Sequence, residues 1–216
     1  RTDKQRKARF NEKRDGDSAV STRIKEYRQS KIDRSIEMVR EAIRKGIRFD
    51  YLLVDSWFTC ADLLNFICSR HLKCHLIGMM KMGKTRYKAR FGNLNASGII
   101  ERLKKEKSVK YSRKLNCHYA YIDAEYSSRK IRIFFCKRGR KGTWNAFLSI
   151  NIGLDFFEAY RIYSMRWAIE VCFSEMKGLL KLGKCQCRNF SSQIASVSDR
   201  DASAGWPAVR AGGVPP

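Results

Sequence analysis

Four residues with reactive or charged side chains are spaced along one stretch late in the chain, YRIYSMRWAIEVCFSEMKGLLK. Tyr163, Arg166, Glu170 and Lys177 supply a hydroxyl, a guanidinium, a carboxylate and an ammonium, and we name them the stripe residues. At about 100° per residue of a helix, the last three fall within roughly 60° of Tyr163. The stretch has neither Pro nor Gly before Gly178, so it predicts one long helix that carries all four on one face.

Two interpretations of this face are open. In the first, Arg166 supports Glu170 at i,i+4 on an ordinary amphipathic helix. In the second, the charged groups act on a phosphate-containing ligand. The flanking residues are mostly apolar, and a carboxylate among apolar side chains needs a partner, a metal ion or contact with water. The composition and the other elements favour the second interpretation.

The charge balance of the chain favours a polyanionic partner. Its 216 residues include 45 Lys and Arg against 21 Asp and Glu, which gives a formal net charge of +24. Nucleic acid is the first partner to consider, because cationic side chains that neutralise phosphates release counterions. Ribosomal and membrane-surface proteins share such a balance. A hydrophobic content of 44% is that of a globular protein with a buried core.

Nothing in the sequence predicts a membrane span or secretion. It has no run of about 18 apolar residues, and its charged beginning lacks the apolar segment of a secretory signal. The eight cysteines are scattered, and several lie in apolar contexts, which is typical of reduced thiols. We therefore expect a cytoplasmic protein.

Helices and strands alternate in the first half of the chain. Helices are predicted over Lys31–Lys45 and Ala61–Arg70, and buried strands over Phe49–Val54 and Cys74–Met79. The helix between the two strands predicts that they run parallel. Asp55 then follows the first strand directly, and ligands of open α/β sheets collect at the carboxyl ends of strands.

A block of different composition separates this part from the stripe residues. Residues 81–110 are basic and loop-like apart from a helical piece around Ile99–Lys105. Leu115–Ala124, Lys130–Lys137 and Trp144–Ile150 have the character of antiparallel strands. The block therefore predicts a β-rich insertion.

The two ends of the chain differ from its middle. The first 30 residues are basic with few apolar side chains, which predicts a mobile segment. Hydrophobic periodicity stops near Val197, so the rest predicts disorder, and the abrupt change suggests a shifted reading frame. The predicted organisation is a basic segment, a first part of an α/β core, a β-rich insertion, the core helices with the stripe residues, and a disordered tail, at 1–30, 31–80, 81–150, 151–196 and 197–216.

Asp55 and Glu170 together suggest a divalent-metal site in this basic protein. Mg²⁺ takes oxygen ligands from one or two carboxylates and leaves room for phosphates. Two such ions about 3.5–4 Å apart suit phosphodiester chemistry. Arg166 and Lys177 would then face phosphates.

The order and spacing of the stripe residues resemble the Tyr-Arg-Glu-Lys signature of DDE transposases from bacterial insertion sequences. Leu53–Phe58, LVDSWF, resembles the family's segment around its second catalytic Asp, and Cys185–Ile194 its stretch after the signature. The resemblance covers roughly residues 31–196. It implies an RNase H-like α/β fold, incomplete because its first strands are missing, with a β-rich insertion domain.

The resemblance also implies a reaction and its residues. Two Mg²⁺ (or Mn²⁺) ions would be held by Asp, Asp and Glu, with Asp55 as the second ligand and Glu170 as the third. Water and then the freed 3′-hydroxyl would attack phosphodiesters at transposon ends and in target DNA. Tyr163, Arg166 and Lys177 would contact phosphates of the transposon ends.

Further partners follow from the same resemblance. DNA would be bound at transposon ends and at the target, by a homodimer in a synaptic complex in the bacterial cytoplasm and associated with the nucleoid. Trp57 would belong to a pocket for a base extruded near the cleaved end, since an aromatic ring suits base stacking.

The family's first catalytic Asp has no counterpart here. It lies on an early strand in the family, whereas Asp3, Asp15, Asp17 and Asp33 lie in charged or helical sequence with no apolar strand before them. We therefore expect this chain alone to be inactive, as a fragment of a transposase. The alternatives are a non-catalytic basic nucleic-acid-binding module and a decayed gene product.

Two cysteine groups have spacings that zinc ligands also show. Core or surface roles are favoured for both, because the first group straddles a helix end and a strand and the second lacks a matching pair. The groups are Cys68, His71, Cys74 and His75, and Cys185 with Cys187.

Overall fold

The structure is a computed structural model that describes residues 4, 8, 12–13, 15–16, 18–69, 72–139, 141–179, 181 and 192. The helices are α1 (Ala19–Arg28), α2 (Lys31–Arg44), α3 (Ala61–Ser69), α4 (Ala96–Lys105), α5 (Phe156–Ser164) and α6 (Trp167–Gly178). The strands are β1 (Tyr51–Val54), β2 (His75–Met80), β3 (Arg86–Ala89), β4 (Gly92–Asn95), β5 (Lys110–Ser112), β6 (Cys117–Tyr126), β7 (Arg129–Arg138) and β8 (Asn145–Ser149).

All eight strands belong to one mixed sheet. Its order is β1-β2-β8-β7-β6-β3-β4, and β5 pairs with β6 outside this path. β1 and β2 are parallel, with Val54 opposite Gly78, and every other pair is antiparallel. The predicted α/β class and the parallel β1–β2 pair are therefore confirmed.

The strands of the predicted insertion continue the same sheet. β8 pairs directly with β2 from Ile77↔Ser149 to Met80↔Ala146. The segment Lys31–Arg166 forms one compact unit, and the predicted division at residue 80 stays a prediction. β3 and β4 lie in the stretch that was expected to be loop-like, because Gly92, with a φ of 95°, permits a short hairpin there.

Both faces of this sheet are buried. Neighbouring residues of a strand point to opposite faces, so Leu76 and Ile77 on β2 pack into different clusters, as do Phe135 and Phe134 on β7. Helices α2, α3 and α4 cover the first face and α5 covers the second, through buried residues such as Phe156. Burial on both sides explains why the central strands read as continuous apolar runs.

The prediction of one long helix from Tyr160 to Lys181 is wrong, because a break at Met165 and Arg166 separates α5 from α6. The amides of Met165 and Arg166 donate to carbonyls three residues earlier, at 3.1 and 3.0 Å, and the Ser164 hydroxyl donates to the Arg161 carbonyl at 2.7 Å. Short-range bonds of this kind compete with continuation of an α-helix. The stripe residues are therefore divided, with Tyr163 on α5, Arg166 in the break, and Glu170 and Lys177 on α6.

α1 and α6 belong to a second compact unit. α1 begins after Ser18, whose hydroxyl accepts from the amide of Ser21 at 3.2 Å and so caps the helix. This helix was not predicted within residues 1–30, and the mobility expected there stays a prediction. None of the described helices is both long and apolar enough to cross a membrane. The predicted tail, 197–216, lies outside the described residues.

Candidate functional site

Asp55 stands at the carboxyl end of β1 in a tightly bonded turn. Its Oδ1 accepts hydrogen bonds from the amides of Trp57 at 2.8 Å and Phe58 at 3.4 Å. Its carbonyl accepts from the hydroxyl of Thr59 at 2.9 Å and from the amides of Phe58 and Thr59. This is the Asx-type turn that Asp favours, and it holds the carboxylate in one position before α3 begins.

Gly78 on β2 makes room for this turn. A Cβ atom at this position would lie 2.3 Å from the Thr59 Oγ1 atom and 2.9 Å from a methyl of Val54. Only glycine therefore lets the turn pack on the neighbouring strand without displacement. An isolated Gly in a predicted strand is the sequence signal for such a close contact.

Trp57 projects from the same turn and is 71% exposed. The Lys81 ammonium, just beyond the end of β2, lies 4.2 Å from its ring centroid, and the Lys31 ammonium lies 5.9 Å from it. Both distances are within the range of cation–π attraction. The predicted contact of Trp57 with an extruded base stays a prediction, and the ring now has a basic setting that sequence spacing did not reveal.

Tyr163 connects α5 to the end of β1. Its hydroxyl donates to the Val54 carbonyl at 3.3 Å, and its ring stacks on Phe147 of β8 at 5.5 Å between centroids and 9° between planes. The Arg166 guanidinium carbon lies 5.9 Å from the same ring centroid. Tyr163 and Arg166 therefore lie close to the segment that bears Asp55, although Tyr163 is 109 positions after Val54 in the sequence.

Glu170 and Lys177 lie on α6, and both are exposed. None of the described residues of α6 is buried. Glu170 belongs to the second compact unit, and the expectation that it faces inward from a helix packed on the sheet stays a prediction.

The two-metal site that the resemblance implies stays a prediction. At the end of β1 they place the carboxylate of Asp55, a suitable oxygen donor for Mg²⁺. No group of three or more His, Cys, Asp or Glu side chains among the described residues is placed to hold a metal ion.

The first cysteine group fits core and surface roles. Burial raises the pKa of the Cys74 thiol and, against the lowering effect of Arg129, that of Cys68. A raised pKa disfavours the thiolate that zinc requires. His71, Cys185 and Cys187 lie outside the described residues, as does the stretch Cys185–Ile194.

Comparison of the chain with models of known protein families and with curated proteins gave no match to either. The resemblance to DDE transposases accordingly rests on the stripe residues, on the segment around Asp55 and on the stretch Cys185–Ile194.

Proposed function

We propose that this chain derives from a DDE transposase, which cleaves and joins phosphodiesters at transposon ends with the help of divalent cations. The observation that carries the proposal is the hydrogen bond from Tyr163 to the Val54 carbonyl. It joins two of the sequence segments that carry the resemblance, at the strand end that bears Asp55. Two motifs distant in sequence are expected to meet in this way when they serve one site.

The architecture of Lys31–Arg166 supports an RNase H-like core with a β-rich insertion. A helix, α3, connects the parallel strands β1 and β2, and helices cover both faces of the sheet. Asp55 lies at the carboxyl end of a parallel strand, where active sites of α/β sheets collect. The antiparallel strands β3–β8 come between Asp55 and Glu170 in the chain.

In this proposal Asp55 and Glu170 are metal ligands for Mg²⁺ or Mn²⁺. Tyr163, Arg166 and Lys177 contact DNA at the transposon ends, where two copies of the protein assemble. The bond from Tyr163 to Val54 adds a positioning role for that tyrosine. We expect this chain alone to be inactive, because the residues that resemble the family supply two of its three acidic ligands.

Strand-transfer assays on labelled transposon-end duplexes test the proposal, with Mg²⁺ or Mn²⁺ and with EDTA. Adding a segment that supplies the third acidic ligand should give metal-dependent products, which Glu170→Ala and Asp55→Ala abolish. The chain alone should give none. Robust strand transfer by the chain alone, abolished by Glu170→Ala, would contradict the expected inactivity. If the chain with the added segment transfers strands equally well with and without both substitutions, the catalytic proposal is refuted.

A second candidate is a non-catalytic nucleic-acid-binding module, which the net charge of +24 favours. Phosphate neutralisation gives such a module salt-sensitive binding. Its binding should be the same in Mg²⁺ and in EDTA, and Asp55→Ala and Glu170→Ala should leave it unchanged. Titration of labelled DNA under both conditions separates the two candidates.

A further inference from the structure

A groove with cationic side chains lies on the second face of the sheet, away from Asp55 in sequence and on different elements. Its volume is about 740 Å³, and it is lined by the turn between β5 and β6 and by one side of α5. Arg113 and Lys114 come from the turn, and Arg161 comes from α5. We name it the basic groove. Those of its lining residues that the structure describes all belong to the compact unit Lys31–Arg166.

The three cations of the basic groove are exposed, and no described acidic side chain forms a salt bridge with any of them. Glu158 is the one acidic residue among the described lining residues, so the formal charge of these residues sums to +2. Charges arranged in this way attract an anionic ligand. Elsewhere on the same unit, Lys88 and Arg90 are exposed but already paired with Glu125 and Glu106.

The turn that carries Arg113 and Lys114 is held in place by its own hydrogen bonds. The Leu115 amide donates to the Ser112 hydroxyl at 3.3 Å, and the Tyr111 hydroxyl donates to the Asn116 side chain at 2.9 Å. The ring of Tyr111 also lies 5.0 Å from that of His118. The backbone that carries Arg113 and Lys114 is therefore ordered before a ligand binds, which reduces the conformational freedom lost on binding.

Aromatic residues line the same groove. Phe157 is 43% exposed although it is large and apolar, and Tyr160 is half-buried beside it. Phe157 is braced by edge contacts with Tyr119 and Phe156, at 5.3 and 5.5 Å between centroids. Proteins that bind single strands without sequence preference combine cationic side chains along the phosphate backbone with aromatic rings on which bases stack.

We propose that the basic groove binds single-stranded nucleic acid, with phosphates on Arg113, Lys114 and Arg161 and a base stacked on Phe157. Duplex DNA is a poorer occupant, because its bases are stacked on each other and do not reach a ring in a groove. The inference rests on the proposed function only in taking nucleic acid as the partner. It involves neither a metal ion nor the stripe residues.

Fluorescence anisotropy with a labelled oligothymidine of about 20 nucleotides tests the groove. All titrations contain EDTA, so the outcome does not depend on transposase activity. Replacing Arg113, Lys114 and Arg161 by Ala should weaken binding by roughly tenfold or more at low salt. It should also reduce the slope of log K against log salt by about 2, since each phosphate contact on a single strand contributes about 0.7.

A matched control removes the same number of positive charges outside the groove. Arg44, Arg48 and Lys105 are exposed and do not line it, so their replacement by Ala should weaken binding much less. Glu158→Gln removes the opposing charge and should tighten binding. Phe157→Ala should weaken binding roughly tenfold or more, the scale of one lost stacking contact, and Phe157→Tyr should restore it.

Several outcomes would overturn the proposal. The first two are an equal loss of affinity in the triple variant of the groove (Arg113, Lys114 and Arg161 replaced by Ala, the groove triple) and in the control variant, and no binding of the oligothymidine at all. The others are equal competition by a duplex of the same length, and a groove triple that loses binding only to polyglutamate or to phosphatidylserine vesicles. Circular dichroism and urea unfolding confirm that each variant folds. If the groove triple does not fold, Arg161→Glu and Glu158→Gln alone must still shift binding in opposite directions.

Discussion

Tyr163 has a structural role that its spacing in the sequence did not indicate. Its contact with DNA, implied by the resemblance, stays a prediction, and the structure adds that its hydroxyl bonds to the Val54 carbonyl and its ring stacks on Phe147. Sequence periodicity predicts which residues share a helix face. It does not predict the partner across the sheet, because that partner depends on the register of β2 and β8.

We expect Tyr163→Phe to lower the free energy of unfolding by about 1 kcal/mol, the typical contribution of one hydrogen bond. Tyr163→Leu should cost more, because it also removes stacking worth about 0.5–1.5 kcal/mol beyond area burial. Urea unfolding followed by circular dichroism measures both. If the two variants are as stable as the parent, Tyr163 does not anchor α5 to β1.

Gly78→Ala is expected to destabilise the unit Lys31–Arg166 by about 1–3 kcal/mol, the usual cost of overpacking. The added methyl would lie 2.3 Å from the Thr59 Oγ1 atom, so the cost should be smaller in a Thr59→Ala background. Gly83→Ala is the control, because a Cβ there meets no atom within 4 Å. Equal effects at Gly78 and Gly83 in urea unfolding would show that the turn does not press on β2.

At the scale of elements, the sequence predicted the parts of the fold with strong hydrophobic patterns. The helices α2 and α3 and the strands β1, β2, β6, β7 and β8 lie within a few residues of their predicted ranges. β3 escaped prediction because only Tyr87 of its four residues is buried. The break between α5 and α6 was not predicted, because the sequence has neither Pro nor Gly there. The helix is interrupted by hydrogen bonds near Ser164.

The break predicts different effects of one substitution in the two helices. Ile162 on α5 is 7% exposed and Ile169 on α6 is 49% exposed. Ile162→Ala should cost about 2–5 kcal/mol through a lost core contact and a cavity. Ile169→Ala should change stability by no more than about 0.5 kcal/mol. The substitution is chemically the same, so helix propensity cancels in the comparison, and equal costs in urea unfolding would indicate one continuous buried helix.

At the scale of the whole molecule, composition predicted a basic globular protein, and the structure adds where part of that charge lies. A count of Lys and Arg does not distinguish cations in ion pairs, such as Arg132 with Asp123 at 2.6 Å, from the three cations of the basic groove. The cations of the basic groove become neighbours only when β5, β6 and α5 pack together in the folded protein. The position of Glu170 relative to Asp55, on which the catalytic proposal depends, likewise requires tertiary structure.

The net charge of +24 predicts how stability depends on salt. Like charges repel in the compact state, and the screening length falls from about 30 Å at 0.01 M salt to about 10 Å at 0.1 M. The midpoint of urea unfolding should therefore rise as NaCl increases over this range. A variant with Arg44, Arg48 and Lys105 replaced by Gln carries less charge, so it should be more stable at low salt and respond less. A midpoint that falls with salt would instead show that attractive pairs such as Arg132–Asp123 outweigh the repulsion.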